Sequence, residues 1–244
     1  MITQIIAHRG SKGVRPENTI VAFNKAIDEG ADGIETDVHL SKDGKLVIIH
    51  DETVNRTTDG EGRIFDKTLA EIKKLDAGAY FSEKYVNERI PTLQEVVDLL
   101  IQRKYHGIFN LELKTDKIKY PGIEQKVYEV LKGEDFPFHL VYSSFNPKSI
   151  SVLHQLQPEV EAASLFKINT KAARRFSRRR IIQEWHPSIA WVRSHRFFLP
   201  RVQLRPWTVN SEDDIKYCFK KNFKGIITDY PTRALKIRKK MQGE

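Results

Sequence analysis

Two histidines, three carboxylates and two basic residues stand out in this sequence because each lies in or just beyond a short apolar run. His8-Arg9 follow Gln4 to Ala7, Glu35 and Asp37 lie within Ile34 to Leu40, His50-Asp51 follow Leu46 to Ile49, and Glu112 with Lys114 end Ile108 to Leu113. Glu35 and Asp37 are two residues apart, as are Glu112 and Lys114, so in an extended chain each pair projects to one face. Three carboxylates drawn together repel unless a cation neutralises them, and oxygen donors without cysteine suit a hard ion, Mg²⁺ or Ca²⁺, better than zinc. Imidazole titrates near neutrality, so His8 and His50 are suited to act as base and acid in one phosphoryl transfer. Arg9 offers a bidentate fork and Lys114 a point charge to phosphate oxygens. Together they describe a site that cleaves a phosphate ester. The plain alternative is a set of structural salt bridges in which Arg9 and Lys114 merely pair the acids. His39 continues the period of Glu35 and Asp37 and is a candidate fourth site residue, but its strand runs past the usual catalytic end, which favours a satisfied or exposed histidine.

Such residues act together only if a fold gathers them. Besides the four runs above, strand signals occur at His139 to Ser143, Ala162 to Leu165, around Glu184 to His186, Val202 to Trp207 and Ile226 to Thr228. Helical patterns alternate with them. Thr19 to Glu29 carries Ile20, Phe23, Ala26 and Ile27 at helical spacing, Thr68/Glu71 and Thr92/Glu95 read as capping boxes, and Asn146-Pro147 and Ser211 read as helix starts. Alternation of this kind implies a parallel sheet, and about eight βα units predict a (β/α)₈ TIM barrel, in which the C-terminal ends of the strands meet at one mouth. There is no G-x-G-x-x-G loop to support an open doubly wound sheet. Asp51 to Arg89 breaks the rhythm and is too long for an ordinary loop, so a small inserted subdomain is expected there, over the mouth. The whole of residues 1–244 is expected to be one barrel domain.

Composition narrows the class further. With 40% hydrophobic and 30% charged residues the chain can bury a sizeable core. One cysteine, Cys218, excludes an internal disulfide framework and a multi-thiolate zinc site. The sequence start has no signal-peptide pattern and no run approaches a membrane span, which predicts a cytoplasmic protein. The net charge of +9 is concentrated in Lys167 to Arg205, which holds eleven Lys or Arg and a single acid, Glu184. Its plain reading is a solvated outer helix face; its functional one is steering of an anionic substrate or peripheral contact with an anionic surface. A nucleic-acid partner is not expected.

The stretches AHRGSKGVRPENT, GADGIETDVHLSKDGKLVIIHDETVNRTT, NLELK, SSFNP, WTVN and GIITDYP, in that order along nearly the whole chain, resemble those of the glycerophosphodiester phosphodiesterase family. The resemblance implies a (β/α)₈ barrel with a small insertion after the second strand and metal-dependent hydrolysis of glycerophosphodiesters to glycerol phosphate and an alcohol, within glycerol and lipid metabolism. It implies that His8 and His50 are the acid/base pair, that Glu35, Asp37 and Glu112 bind Ca²⁺ or Mg²⁺, and that Arg9 and Lys114 hold the phosphate. Phe145 and Trp207 resemble the family's substrate-lining aromatics. Glu17-Asn18-Thr19 is read as shaping the first loop and capping its helix, and Arg56 to Asp59 and Thr228-Asp229 as scaffold around the mouth. The sequence departs from the family's look between Lys167 and Arg205. Two other readings remain open: cleavage of lysophospholipids, with Tyr80, Phe81 and Tyr85 lining an apolar groove, and a non-catalytic phosphate-binding barrel, which has no use for an acid/base pair.

Overall fold

A computed structural model of the chain describes residues 2–133 and 135–243. Eight parallel strands form the barrel: β1 (Gln4–His8), β2 (Gly33–Leu40), β4 (Ile108–Leu113), β5 (His139–Ser144), β6 (Glu161–Phe166), β7 (Glu184–Pro187), β8 (Gln203–Leu204) and β9 (Gly225–Thr228). They are hydrogen-bonded in the order β8-β7-β6-β5-β4-β2-β1-β9. The ring closes just beyond β8, where the Ile227 N–H donates to Pro206 O and the Val209 N–H to Ile227 O, both at 2.9 Å. The seventh barrel strand is therefore shorter than Val202 to Trp207, with regular pairing only at Gln203–Leu204 and an isolated bridge from Trp207 to Ser188. Pro200 and Pro206 flank that stretch and cannot donate to a ladder.

One strand signal has another meaning. Leu46–Ile48 is β3, antiparallel to β2 with Val38 opposite Ile48 and Leu40 opposite Leu46, so it is a hairpin partner lying off the barrel path. His50 therefore does not arrive at the end of a barrel strand. It is carried back toward the mouth by the return arm of a hairpin, where the Ile49 N–H donates to Asp37 O at 3.1 Å.

The helices are α1 (Ile20–Asp28), α2 (Leu69–Ile72), α3 (Leu93–Gln102), α4 (Ile123–Leu131), α5 (Pro147–Leu156), α6 (Lys171–Arg178), α7 (Ile189–Ser194), α8 (Glu212–Lys220) and α9 (Pro231–Gln242). Helix α3 illustrates their logic. Leu93, Val96, Val97 and Leu100 are buried at three- and four-residue spacing, each worth about 1.5–3 kcal/mol, and a Thr92/Glu95 capping box fixes the start. The Thr68/Glu71 box and the Asn146, Ser211 and Thr19 caps form as the sequence predicts. The segment 51–89 holds a small apolar cluster with β3, made of Val47, Ile49, Val54, Ile64, Ile72, Ala77 and Ile90.

Alternation along the strands stacks the barrel interior in layers. Gln4, Ile6 and His8 face inward on β1, and Ile108, Asn110 and Glu112 on β4. At mid-height Ile6, Ile108, Val141 and Ile227 form an apolar plug. Gly33 makes room for it, since a Cβ there would sit 2.5 Å from Ile6 Cδ1. Below lies a polar floor of Gln4, Glu184 and Arg205. Above lies the mouth.

Candidate active site

Strand register brings the mouth residues together. His8 is opposite Glu35, Glu35 opposite Asn110, and Asp37 opposite Glu112, with neighbouring parallel strands about 4.8 Å apart. One oxygen from each of Glu35, Asp37 and Glu112 lies within 4.8 Å of the others, and all three side chains are buried. Each of these acids sits in a web of donors. The Arg9 amide donates to Glu35 Oε2 at 3.0 Å, Asn18 Nδ2 to Asp37 Oδ2 at 2.9 Å, and Lys114 Nζ to Glu112 Oε1 at 2.8 Å. Arg9 Nε is 3.3 Å from Asp37 Oδ2 and Lys114 Nζ is 3.7 Å from Asp37 Oδ1. Arg9 and Asn18 both have left-handed backbones, φ 54° and 56°, a conformation that Asn tolerates and that is uncommon for Arg, held here by the Asn18 N–H donating to Arg9 O at 3.0 Å.

Charge is unevenly compensated in this web. Burial and the carboxylates of Asp37 and Glu112 push Glu35 well above its ordinary range, and Glu112 is raised by burial that Lys114 only partly offsets. Burial also disfavours charge on Asp37, but Arg9, Lys114 and His50 outweigh it and hold that acid down. Asp37 Oδ1 is buried without a hydrogen-bond partner. An oxygen-only trio with an acceptor left open and two members resisting ionisation is what a hard divalent cation would relieve. The donor set therefore fits such an ion, with each acid offering one oxygen.

Both histidines are gripped by an acid at one nitrogen. His8 Nδ1 is 2.6 Å from Asp229 Oδ1, leaving Nε2 on the Glu35 side at 4.0 Å from Oε2. His50 Nδ1 is 2.5 Å from Asp51 Oδ1. Burial and Arg9 push His8 down to about 4 against the pull of Asp229, and the His8 imidazole, Lys12 and Asn210 in turn hold Asp229 down at about 2 despite its burial. His39 is satisfied on both sides, by Tyr120 Oη at 2.8 Å and by the His50 carbonyl at 3.1 Å. It buckles the hairpin that carries His50.

A cavity of about 960 Å³ opens above these groups. Of the nine candidate side chains, His8, Arg9, Glu35, His50, Glu112, Lys114, Phe145 and Trp207 line it, and Asp37 is fully buried beside them. Phe145 and Trp207 meet edge to face at 5.6 Å, and Trp207 Nε1 donates to His186 O, which leaves the ring face to the cavity. Tyr80, Phe81 and Tyr85 pack on one another outside it, and the Glu17 N–H donates to Tyr80 Oη.

Several residues read as scaffold have direct contacts with the candidates. Asp229 grips His8, and the signal was available: in a closed barrel the last strand pairs with the first, and Ala7 opposite Thr228 sets Asp229 beside His8. Glu17 bridges Arg9 and Arg56, each at 2.8 Å, and Arg56 also donates to Asp51 at 2.6 Å, linking the segment 51–89 to the mouth. Asn110 lines the cavity with a buried, unpaired Oδ1. Nothing in its local sequence distinguishes it from a packing residue.

A sequence model of the Glycerophosphoryl diester phosphodiesterase family matches residues 8–233, from the first imidazole to the start of α9. The chain belongs to this family. This phosphodiesterase family member is 40% identical to a glycerophosphodiester phosphodiesterase of Caldanaerobacter subterraneus subsp. tengcongensis, over 98% of the chain and 99% of that protein. A glycerophosphodiester phosphodiesterase of Bacillus altitudinis is also 40% identical, over 99% of the chain and the whole of the relative. Among solved structures, a phosphodiesterase of Oleispira antarctica in complex with the product sn-glycerol-3-phosphate matches with a TM-score of 0.84 at 31% identity, over 97% and 96% of the two chains. The family member is accordingly an enzyme, a phosphoric diester hydrolase on a TIM barrel. Among the described residues no helix is long and apolar enough to cross a membrane.

Proposed function

We propose that this chain hydrolyses glycerophosphodiesters to glycerol phosphate and an alcohol with the help of a divalent cation, Mg²⁺ or Ca²⁺, held by Glu35, Asp37 and Glu112. The observation that carries the reading is the carboxylate trio within 4.8 Å, flanked in the same cavity by two acid-gripped imidazoles. The whole chain acts as one catalytic unit, with 51–89 as its inserted subdomain. Its lone cysteine fits a cytoplasmic setting.

When bound, the cation supplies Lewis-acid polarisation of phosphate and hydroxyl oxygens. Arg9 and Lys114 hold the phosphate oxygens. Their contacts with Asp37 and Glu112 are ones that a phosphate competes for. His8 and His50, oriented by Asp229 and Asp51, present their other ring nitrogen to the cavity. One takes the proton of a glycerol hydroxyl as its oxygen attacks phosphorus, and the other delivers a proton to the departing alcohol oxygen. The cyclic phosphate so formed is opened by water through the same pair in reverse. Phe145 and Trp207 pack against the bound diester.

The test is release of glycerol phosphate from sn-glycerophosphocholine, with and without chelator. Activity lost in excess EDTA and restored by Mg²⁺ or Ca²⁺ is expected, and full turnover in EDTA would remove the cation from the proposal. Because the attacking hydroxyl belongs to the substrate, a diester lacking it should bind and resist cleavage.

A further inference from the structure

The cavity reaches beyond the groups that act on phosphorus. Its far wall is made by the end of β6 and the first turns of α6, where Lys167, Ile168, Lys171 and Arg175 line it. At about 960 Å³ the cavity is at the upper end of what drug-sized ligands occupy, more than a three-carbon phosphate fills. Its two ends differ in charge. At the mouth, Arg9 and Lys114 are tied to Asp37 and Glu112. At the far wall, no carboxylate of a described residue lies within ion-pair distance of Lys167, Lys171 or Arg175. Lys171 and Arg175 are one helical turn apart on the same exposed face, and the Arg175 guanidinium rests over the Phe176 ring at 5.2 Å. A neighbouring basic residue behaves otherwise: Lys117, also in the cavity lining, is engaged by Glu52 at 3.1 Å.

We propose that this wall is a second anion subsite, in which Lys167, Lys171 and Arg175 hold a negatively charged group carried by the alcohol half of the diester. The subsite rests on the hydrolysis proposed above, since it names the substrate class of that same cavity. It separates the basic stretch into two parts. Lys167, Lys171 and Arg175 face the reaction, while Arg196 and Arg201 belong to the connection from α7 to β8, at the opposite end of the strands.

The experiment compares kcat/KM on two soluble diesters. One is sn-glycerophosphocholine, whose alcohol is cationic. The other is fully deacylated cardiolipin, whose alcohol half carries a second phosphodiester. The wild type should prefer the second, and K167Q/K171Q/R175Q should lower that preference about tenfold, through KM, with high salt doing the same to the wild type. A control of equal charge loss away from the wall, K74Q/R196Q/R201Q, should keep the preference. No preference in the wild type, or equal losses in the two triple variants, would overturn the subsite while leaving hydrolysis in place. If the wild type cleaves neither diester, the hydrolysis proposal fails and the subsite falls with it. Sedimentation of the wild type with phosphatidylglycerol vesicles, reduced in K167Q/K171Q/R175Q without any change in substrate preference, would assign the wall to a lipid surface instead.

Discussion

At the floor of the barrel Glu184 is buried between Arg205 at 2.7 Å, Lys224 at 2.8 Å and His186 at 3.3 Å; at the mouth Glu35, equally buried, has the Arg9 amide and two neighbouring carboxylates. Both are glutamates inside one barrel, separated by the plug of Ile6, Ile108, Val141 and Ile227. Burial raises both, but at the floor the His186 hydrogen bond and the Arg205 guanidinium reverse its effect and hold Glu184 far below its usual range, whereas at the mouth like charges add to it. Glu184 and Glu161 are matched by Arg205 and Lys224, and Gly225 keeps space for the Arg205 stem, 3.2 Å from where a Cβ would stand. A closed, balanced cluster locks strands together. An open, unbalanced one holds back interaction energy that a ligand can claim.

That contrast can be broken in several ways. The largest effect belongs to the imidazoles: His8→Ala or His50→Ala should lower kcat by roughly 10² to 10⁴ with the circular dichroism spectrum unchanged, and near-normal turnover in either would withdraw the acid/base assignment. Next comes the floor. Glu184→Gln leaves Arg205 and Lys224 facing a neutral side chain and should cost about 3–5 kcal/mol, a Tm lower by roughly 10 °C, whereas Glu35→Gln in chelator should raise Tm or leave it level. Two variants that destabilise equally would erase the distinction.

A third test uses ligand linkage. Mg²⁺ or Ca²⁺ at about a hundred times its Kd should stabilise the wild type by about 2.7 kcal/mol and do little for Glu35→Gln. An equal Tm rise in both would place the binding elsewhere. The pH dependence in chelator should also divide the two ends. Glu184, with its folded pKa depressed below 4.5, contributes fully above that value and loses its contribution as pH falls through the lower folded pKa. Glu35, with its folded pKa raised above 4.5, binds a proton in the folded state that the unfolded chain releases, so stability drops as pH rises across that window. Glu35→Gln should remove the second slope and Glu184→Gln the acid loss. The smallest effect is expected at His39: His39→Ala frees the His50 carbonyl and should reduce kcat about tenfold with KM little changed.

Legibility from sequence followed how local each cause was. Caps were readable because cap and donor lie within three residues, as at Thr92 and Glu95. The acid trio was readable because period two and parallel alternation put Glu35, Asp37 and Glu112 on one side of neighbouring strands. Leu46 to Ile49 read correctly as extended, but direction is set by the turn at Lys42-Asp43-Gly44 and by pairing with β2, which an apolar run does not encode. Asp229 and Glu17 act through partners more than two hundred and about forty residues away, so their contacts emerge only once the ring closes and Arg56 is brought against the first loop. That Asn110, Lys167, Lys171 and Arg175 line one cavity required the cavity itself.

The hairpin has a mechanical consequence. His8 rides on a strand braced by a ladder on each flank, whereas His50 hangs at the tip of a three-residue strand with a ladder on one flank and a lone bridge, Val47 to Thr92, on the other. The pair resembles tongs with one jaw riveted to the frame and the other clipped on. On gentle heating the clip should give first, so that turnover is expected to fall at a temperature below the loss of the barrel's circular dichroism signal.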